Sequence, residues 1–358
     1  MRRRAVSIII SALLLLSLSA TAFAAGLDEI VDSAPEAARE AAAEIAEGGE
    51  TDVALFLRRL IENVLFGGDD PIKGALKNAA AVFAAVLISA IASAFLGDKS
   101  GLSAARLAAV LAICAVSIGG VRSLIGSCEK AMDELSAFSA VLLPALASAS
   151  AVTGKAMTAS ASLYAATLFI AILSSLTKKA LIPLIYAFVA ASAASHSFGG
   201  AISAAAKLIK WAINTILIAI ASAFTLFLTL SGAIASKADA VAVKAARTAI
   251  GNFVPVVGRL ITDASETVAA GLDAVKAASG AIGIIAVVTL AAAPAVRAAA
   301  NHLMFRAASV LSEPIAGKEI SGFIGDVGTA MGFSVGAVGL QSVMLIISIS
   351  AAVKAVSS

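Results

Sequence analysis

His196 and His302, Cys114 and Cys128, and the Gly-Lys pairs 154–155 and 317–318 are the places where this sequence holds residue types able to bind a metal, act as a nucleophile or cradle a phosphate. The histidines lie far apart, and neither stands in an H-E-x-x-H or comparable spacing that would aim two ring nitrogens at one zinc ion. Both are expected as interfacial or packing residues. A phosphate loop requires G-x-x-x-x-G-K-[ST], whose backbone N–H groups surround the phosphates. Thr153-Gly154-Lys155 and Ala316-Gly317-Lys318 both lack its first glycine, so the chain is expected to have no ATPase of its own. Cys114 falls within an apolar run, where a thiol behaves as a small hydrophobe, and two cysteines make no disulfide framework. Paired acids, or a Ser-Lys or Ser-His pair on facing helices, are not apparent. The sequence therefore reads as non-enzymatic, with no catalytic, cofactor-binding or metal-ligating residue.

The elements that would have to position any site are membrane helices. Hydrophobic residues make up 60% of the chain and charged residues 14%, against about 25% charged in soluble domains, and the mean hydropathy is +0.99. Much of the apolar content is Ala, with Gly and Ser between, and small residues let helix backbones approach closely in lipid. Arg2 to Arg4, an apolar run from Ala5 to Ala20 and then Ala22-Phe23-Ala24 match the parts of a secretory signal peptide, so 1–24 is expected to be removed after Ala24. Residues 25–72 hold 12 acids against 3 bases. A capping box at Ser33 and Glu36 opens one amphipathic helix there, and the Gly48-Gly49 and Gly67-Gly68 pairs close it and a second. This segment is expected to form an acidic helical hairpin outside the cytoplasm. The bases elsewhere are scattered singly between apolar stretches, which excludes nucleic-acid binding as the function.

Apolar stretches near the ~20 residues that cross the hydrocarbon occur at 77–96, 102–121, 159–177, 180–198, 211–235, 278–296 and 333–353. An eighth, 135–153, is interrupted by Pro144 and reads as a span, a re-entrant segment or a buried half-helix. The expected fold is all-α, a polytopic transmembrane bundle of about seven spans, six to eight allowed. The first transmembrane bundle would cover 73–235, an amphipathic interfacial segment 236–277, and a C-terminal transmembrane segment 278–358. Counting from an exported N-terminus places Lys99 and Arg106 in the cytoplasm and, if 135–153 does not cross, Lys178-Lys179 as well, as the positive-inside rule prefers, although Lys207 and Lys210 then lie outside. Acids and bases are absent from the core of every predicted span, which weakens a reading as an ion-coupled transporter.

Two places stand out as functional surfaces. Within 247–276, Ile250, Phe253, Val257, Leu260, Ile261 and Val268 form a helical stripe opposite Asn252, Arg259, Asp263 and Glu266. Pro255 and Gly258 punctuate it, and the stripe predicts an interfacial helix whose polar face meets a partner or lines an entrance, the alternative being a plain connector on the membrane surface. The second place is the ladder Gly328, Gly332 and Gly336, four residues apart, which suits close helix packing either between subunits or within one bundle. Shifting 247–297 by 59 residues onto 306–356 aligns Arg247 with Arg306, Pro255 with Pro314, Gly258 with Gly317 and Ile261 with Ile320, which reads as an internal repeat or as a chance match in Ala-rich sequence; copies that each cross once would be inverted, as in transporters.

Asn252-Phe253-Val254-Pro255-Val256-Val257-Gly258, with Thr262-Asp263-Ala264 and Thr267-Val268, Leu142-Leu143-Pro144 ahead of Gly154, and Glu313-Pro314-Ile315, resembles the stage III sporulation protein AE family of endospore-forming bacteria. The resemblance implies a membrane subunit of a channel-like complex between mother cell and forespore. Its neighbours would be other stage III sporulation A-operon proteins, among them a secretion-type ATPase, and a partner in the forespore membrane, with self-association left open. The implied location is the mother-cell membrane around the forespore. No cofactor is implied. The alternative from composition alone is a self-sufficient permease for a small solute.

Overall fold

The computed structural model describes residues 71–95, 99–152, 156–198, 201–230 and 278–357, with a few isolated positions before them. The expected signal peptide, the acidic hairpin and the segment 236–277, with Asn252, Pro255, Gly258, Arg259, Asp263 and Glu266, fall outside the described residues. Every described element is helical: α1 (Pro71–Phe95), α2 (Lys99–Val152), α3 (Ala156–Leu176), α4 (Ile182–Phe198), α5 (Ala201–Leu230) and α6 (Ala278–Ser357).

Helix α1 opens on Pro71, a residue that suits the first turn because the N–H it lacks would have no partner there. Ala75, Ala79, Val82, Val86 and Ser89 then alternate spacings of four and three and are all buried, giving one stripe that packs on α2 and α6. Ile88, Ile91 and Phe95 point outward.

Helix α2 corrects the sequence reading. The expected spans 102–121 and 135–153 are parts of one helix of 54 residues, because the charges between them occupy only its outer side. Arg122, Lys130, Asp133 and Glu134 are exposed, while Val121, Ile125, Cys128, Met132 and Leu135 carry an unbroken buried stripe past them. The helix bends by 42° between Val110–Ser117 and Gly119–Pro144, at a glycine pair of the kind that permits a kink. Pro144 stays inside the helix.

Lys178 and Lys179 fail to separate two spans, which is a second correction. The chain continues from α3 to α4 through a π-helical turn, Thr177–Leu181, so that Ala165–Phe198 is one apolar stretch of 34 residues. The Lys178 ammonium is met by Asp133 of α2, and the Thr177 hydroxyl donates to the Leu173 carbonyl at 2.8 Å. Lys178 thus finds a partner on a neighbouring helix, and Lys179 points outward from a helix that continues past it.

Helix α6 is a hairpin. Gly317, with φ 81° and ψ 175°, occupies backbone space that essentially only glycine enters. From there the arms 278–316 and 318–357 run antiparallel. Ser309 Oγ donates to the Ser321 carbonyl at 2.7 Å, the His302 Nδ1–H donates to the Gly328 carbonyl at 2.6 Å, and a Cβ on Gly283 would lie 3.4 Å from Ile349. The second arm is the centre of the bundle, with Phe323, Ile324, Met331, Ala337, Val338 and Ile349 fully buried. Against the expected seven, the described residues contain four helices long and apolar enough to cross a membrane, or five if the bent part of α2 is one. The longest of these, Ile282–Ala351, holds both arms of the hairpin and so contains the two expected C-terminal spans.

Candidate functional site

Three elements converge on one carboxylate. Asp326 projects from the second arm of α6, one turn beyond Phe323, and its Oδ2 accepts a hydrogen bond from Ser192 Oγ of α4 at 2.6 Å. The same oxygen lies 3.2 Å from Nε2 of His196, where the imidazole N–H donates. Its other oxygen is 3.8 Å from the Lys210 ammonium of α5. The sequence builds this contact face simply. Phe188, Ser192 and His196 stand four apart on α4, so helical periodicity puts them on one side. Phe188 meets Phe333 edge-on at 5.7 Å, His196 tilts over Phe323 at 6.4 Å, and Lys210 lies 6.0 Å from the Phe188 ring centroid, within cation–π range.

Gly322 lets the helices come close enough. A Cβ there would lie 2.6 Å from Cε1 of His196, so the imidazole occupies the space of the absent side chain. The half-buried polar groups are thereby ringed by aromatic faces, where a hydrogen bond to an ionised acceptor counts for more than in water.

The order of contacts decides what this cluster can do. In a nucleophile, base and orienter chain the imidazole stands between hydroxyl and carboxylate. Here the carboxylate stands between hydroxyl and imidazole, so His196 is not placed to take the Ser192 proton. The arrangement joins α4 and α5 to the hairpin α6.

Further polar links tie the hairpin to α1 and α2. Asn78 Nδ2 donates to Asn301 Oδ1 at 2.9 Å, and Gln341 Nε2 donates to the Met132 carbonyl at 3.0 Å and to Ser136 Oγ at 2.9 Å. Gln341 Oε1 is buried without a hydrogen-bond partner.

The glycine ladder is distributed along this hairpin. A Cβ on Gly328 would meet Phe305 Cβ at 3.1 Å and the His302 carbonyl at 3.3 Å, and one on Gly332 would meet His302 Nδ1 at 3.0 Å. Gly336 is buried. Two of the three ladder positions thus pack against the other arm of the same chain. His302 is the residue they accommodate.

His196, expected only as an interfacial or packing residue, has a specific acidic partner. Asp326, Ser192 and Lys210 were missed by the sequence reading as a group; Asp326 lies on the second arm of the hairpin, a short way past the turn at Gly317 and outside the expected spans 278–296 and 333–353. The available signal was the Ser192-x-x-x-His196 spacing inside an otherwise apolar helix. No spacing pointed to the carboxylate, which lies 130 residues further on. Among the described residues, no group of three or more His, Cys, Asp and Glu side chains is arranged to hold a metal ion.

The sequence model of stage III sporulation protein AE matches residues 75–356, a range that takes in nearly all of α1 and every later described helix. The chain belongs to the stage III sporulation protein AE family. Among curated relatives, the stage III sporulation protein AE of Bacillus subtilis (strain 168) is 26% identical over 140 residues, which is 38% of this chain and 35% of the relative. The matched stretch thus spans about a third of that relative's length. No solved structure matches the chain. Family membership makes this a sporulation protein, and its apolar helices make it a membrane protein.

Proposed function

We propose that this member of the stage III sporulation protein AE family is a non-enzymatic, multi-pass subunit of a channel-like, secretion-type complex acting between mother cell and forespore. It would reside in the mother-cell membrane around the forespore. The observation that carries the reading is the character of the polar cluster. Asp326, Ser192, His196 and Lys210 clamp helices together in an order unsuited to nucleophilic catalysis, within a bundle that the family model covers almost end to end. A subunit of this kind supplies shape and a membrane path, and takes its energy from elsewhere. Other stage III sporulation A-operon proteins, including a secretion-type ATPase, are the proposed partners, together with a forespore membrane protein. The polar side of 247–276, with Asn252, Arg259, Asp263 and Glu266 beside Pro255 and Gly258, is the proposed contact surface.

Crosslinking in sporulating cells, followed by mass spectrometry of the purified chain, tests this. The expected result is recovery of the other A-operon proteins, with Arg259→Ala or Asp263→Ala reducing both recovery and spore yield at unchanged protein level and membrane insertion. Purified chain that moves a small solute across liposomes on its own, and captures no sporulation protein, would establish the permease reading instead.

A further inference from the structure

Helix α5 carries a strongly one-sided surface. Ile213, Leu217, Ile220, Phe224 and Leu228 are buried in the bundle, whereas Leu208, Trp211, Ile218 and Leu226 face outward with 50 to 63% of their surface exposed. The outward stripe changes character along its length. From Trp211 to Thr229 it bears no charged residue, the hydroxyls of Thr215, Ser222 and Thr229 standing among apolar side chains, and at about 1.5 Å per residue this length is close to 27 Å, nearly the ~30 Å hydrocarbon thickness of a bilayer. Ahead of Trp211 come Lys207, exposed, and Lys210, half-exposed. Helix α5 contains no acid of its own. Lys210 is drawn toward Asp326 at 3.8 Å, while Lys207 lies one turn further from the apolar stretch. Trp211 is the single tryptophan of the chain.

An amphipathic indole and two flexible cations at the end of a hydrocarbon-length stripe have the chemistry of a bilayer boundary. Trp rings settle at headgroup level, lysine stems lie along apolar surface while the ammonium reaches outward, and each lysine near an anionic surface is attracted to its headgroups. We infer that Lys207, Lys210 and Trp211 form a docking site for anionic phospholipid headgroups and mark where one membrane surface crosses the bundle. The Asp326 cluster then sits at that surface rather than at mid-bilayer. Its lysine is shared between the carboxylate and the headgroup layer, which is compatible with three charged or titratable side chains meeting there. The inference rests on the membrane character of the chain and is independent of any channel role.

The lone tryptophan makes this directly measurable. The full chain is reconstituted into vesicles of phosphatidylcholine alone or mixed with phosphatidylglycerol, and Trp211 fluorescence is quenched by bromine placed either near the headgroup or near the acyl-chain end. Shallow bromines are expected to quench more strongly than deep ones. Bromine carried on phosphatidylglycerol is expected to quench more than the same mole fraction carried on phosphatidylcholine. Lys207→Gln, which leaves the Asp326 contacts in place, should lower that preference for the anionic lipid roughly fivefold, and Lys207→Arg should restore it. Stronger quenching by deep bromines, or none by either, would overturn the boundary assignment. Equal quenching by the two headgroups, or an unchanged preference in Lys207→Gln, would overturn the headgroup site. Inorganic phosphate added to phosphatidylcholine vesicles is expected to leave quenching unchanged, and a response equal to that of the anionic lipid would also count against the site.

Discussion

Asp326→Ala removes the acceptor on which two helices converge. The Ser192 and His196 hydrogen bonds, at 2.6 and 3.2 Å, are each worth about 0.6 kcal/mol by the average measured between membrane helices, with about 1.7 at the upper end. The Lys210 contact, at 3.8 Å with the lysine side chain 39% exposed, belongs with surface ion pairs worth about 0.2 to 1 kcal/mol. Together these give an expected loss of about 1.5 to 2 kcal/mol. Asp326→Asn should cost less, because an amide oxygen still accepts from Ser192. Unfolding in mixed detergent micelles, followed by far-ultraviolet circular dichroism, measures the loss. A cycle with Ser192→Ala separates the direct bond from general damage to packing. The expected coupling is about 0.6 kcal/mol or more. If the double variant is additive to within about 0.3 kcal/mol, Asp326 and Ser192 do not share a bond that matters, and the clamp between α4 and the hairpin is refuted.

Gly322→Ala should destabilise by about 1 to 3 kcal/mol, because its methyl would lie 2.6 Å from the His196 ring. Gly126→Ala, with nothing within 4 Å, should stabilise by up to about 1 kcal/mol in the same unfolding assay. Gly317→Ala forces a side chain into φ 81°, ψ 175° and should cost about 1 to 3 kcal/mol. It should also lower disulfide formation between cysteines placed at Ser309 and Ser321, measured on denaturing gels. Gln341→Leu removes two hydrogen bonds together with a buried acceptor that has no partner, so it should change stability by less than about 1.5 kcal/mol. Gln341→Glu places an uncompensated charge there and should cost about 3 kcal/mol or more, read from the same denaturation curves.

Composition and periodicity determined the solvent and the elements of this protein. An Ala-rich chain with 14% charged residues can only bury itself in lipid or in other helices, and every described element is a helix whose inner face follows the three-and-four spacing visible in the sequence. The motif run around Pro255 pointed to the family, which the match over 75–356 shows. Hydropathy could not decide where helices end, because a charge interrupts an apolar average without interrupting an α-helix. Arg122, Lys130, Asp133 and Glu134 lie on the outside of α2 while Ile125, Cys128 and Met132 continue its buried stripe, and Lys178 is met by Asp133. Two apparent breaks are thus continuous helix, whereas the chain reverses at Gly317, shortly after Pro314 and between the expected spans 278–296 and 333–353. The polar cluster was the least readable feature for the same reason. Asp326 looks like a loop acid when judged by its neighbours in sequence, and only the antiparallel packing of the hairpin against α4 and α5 brings Ser192, His196 and Lys210 to it from more than 110 residues away. Local periodicity sets which side of a helix faces inward, but the partner it meets there is set by tertiary packing.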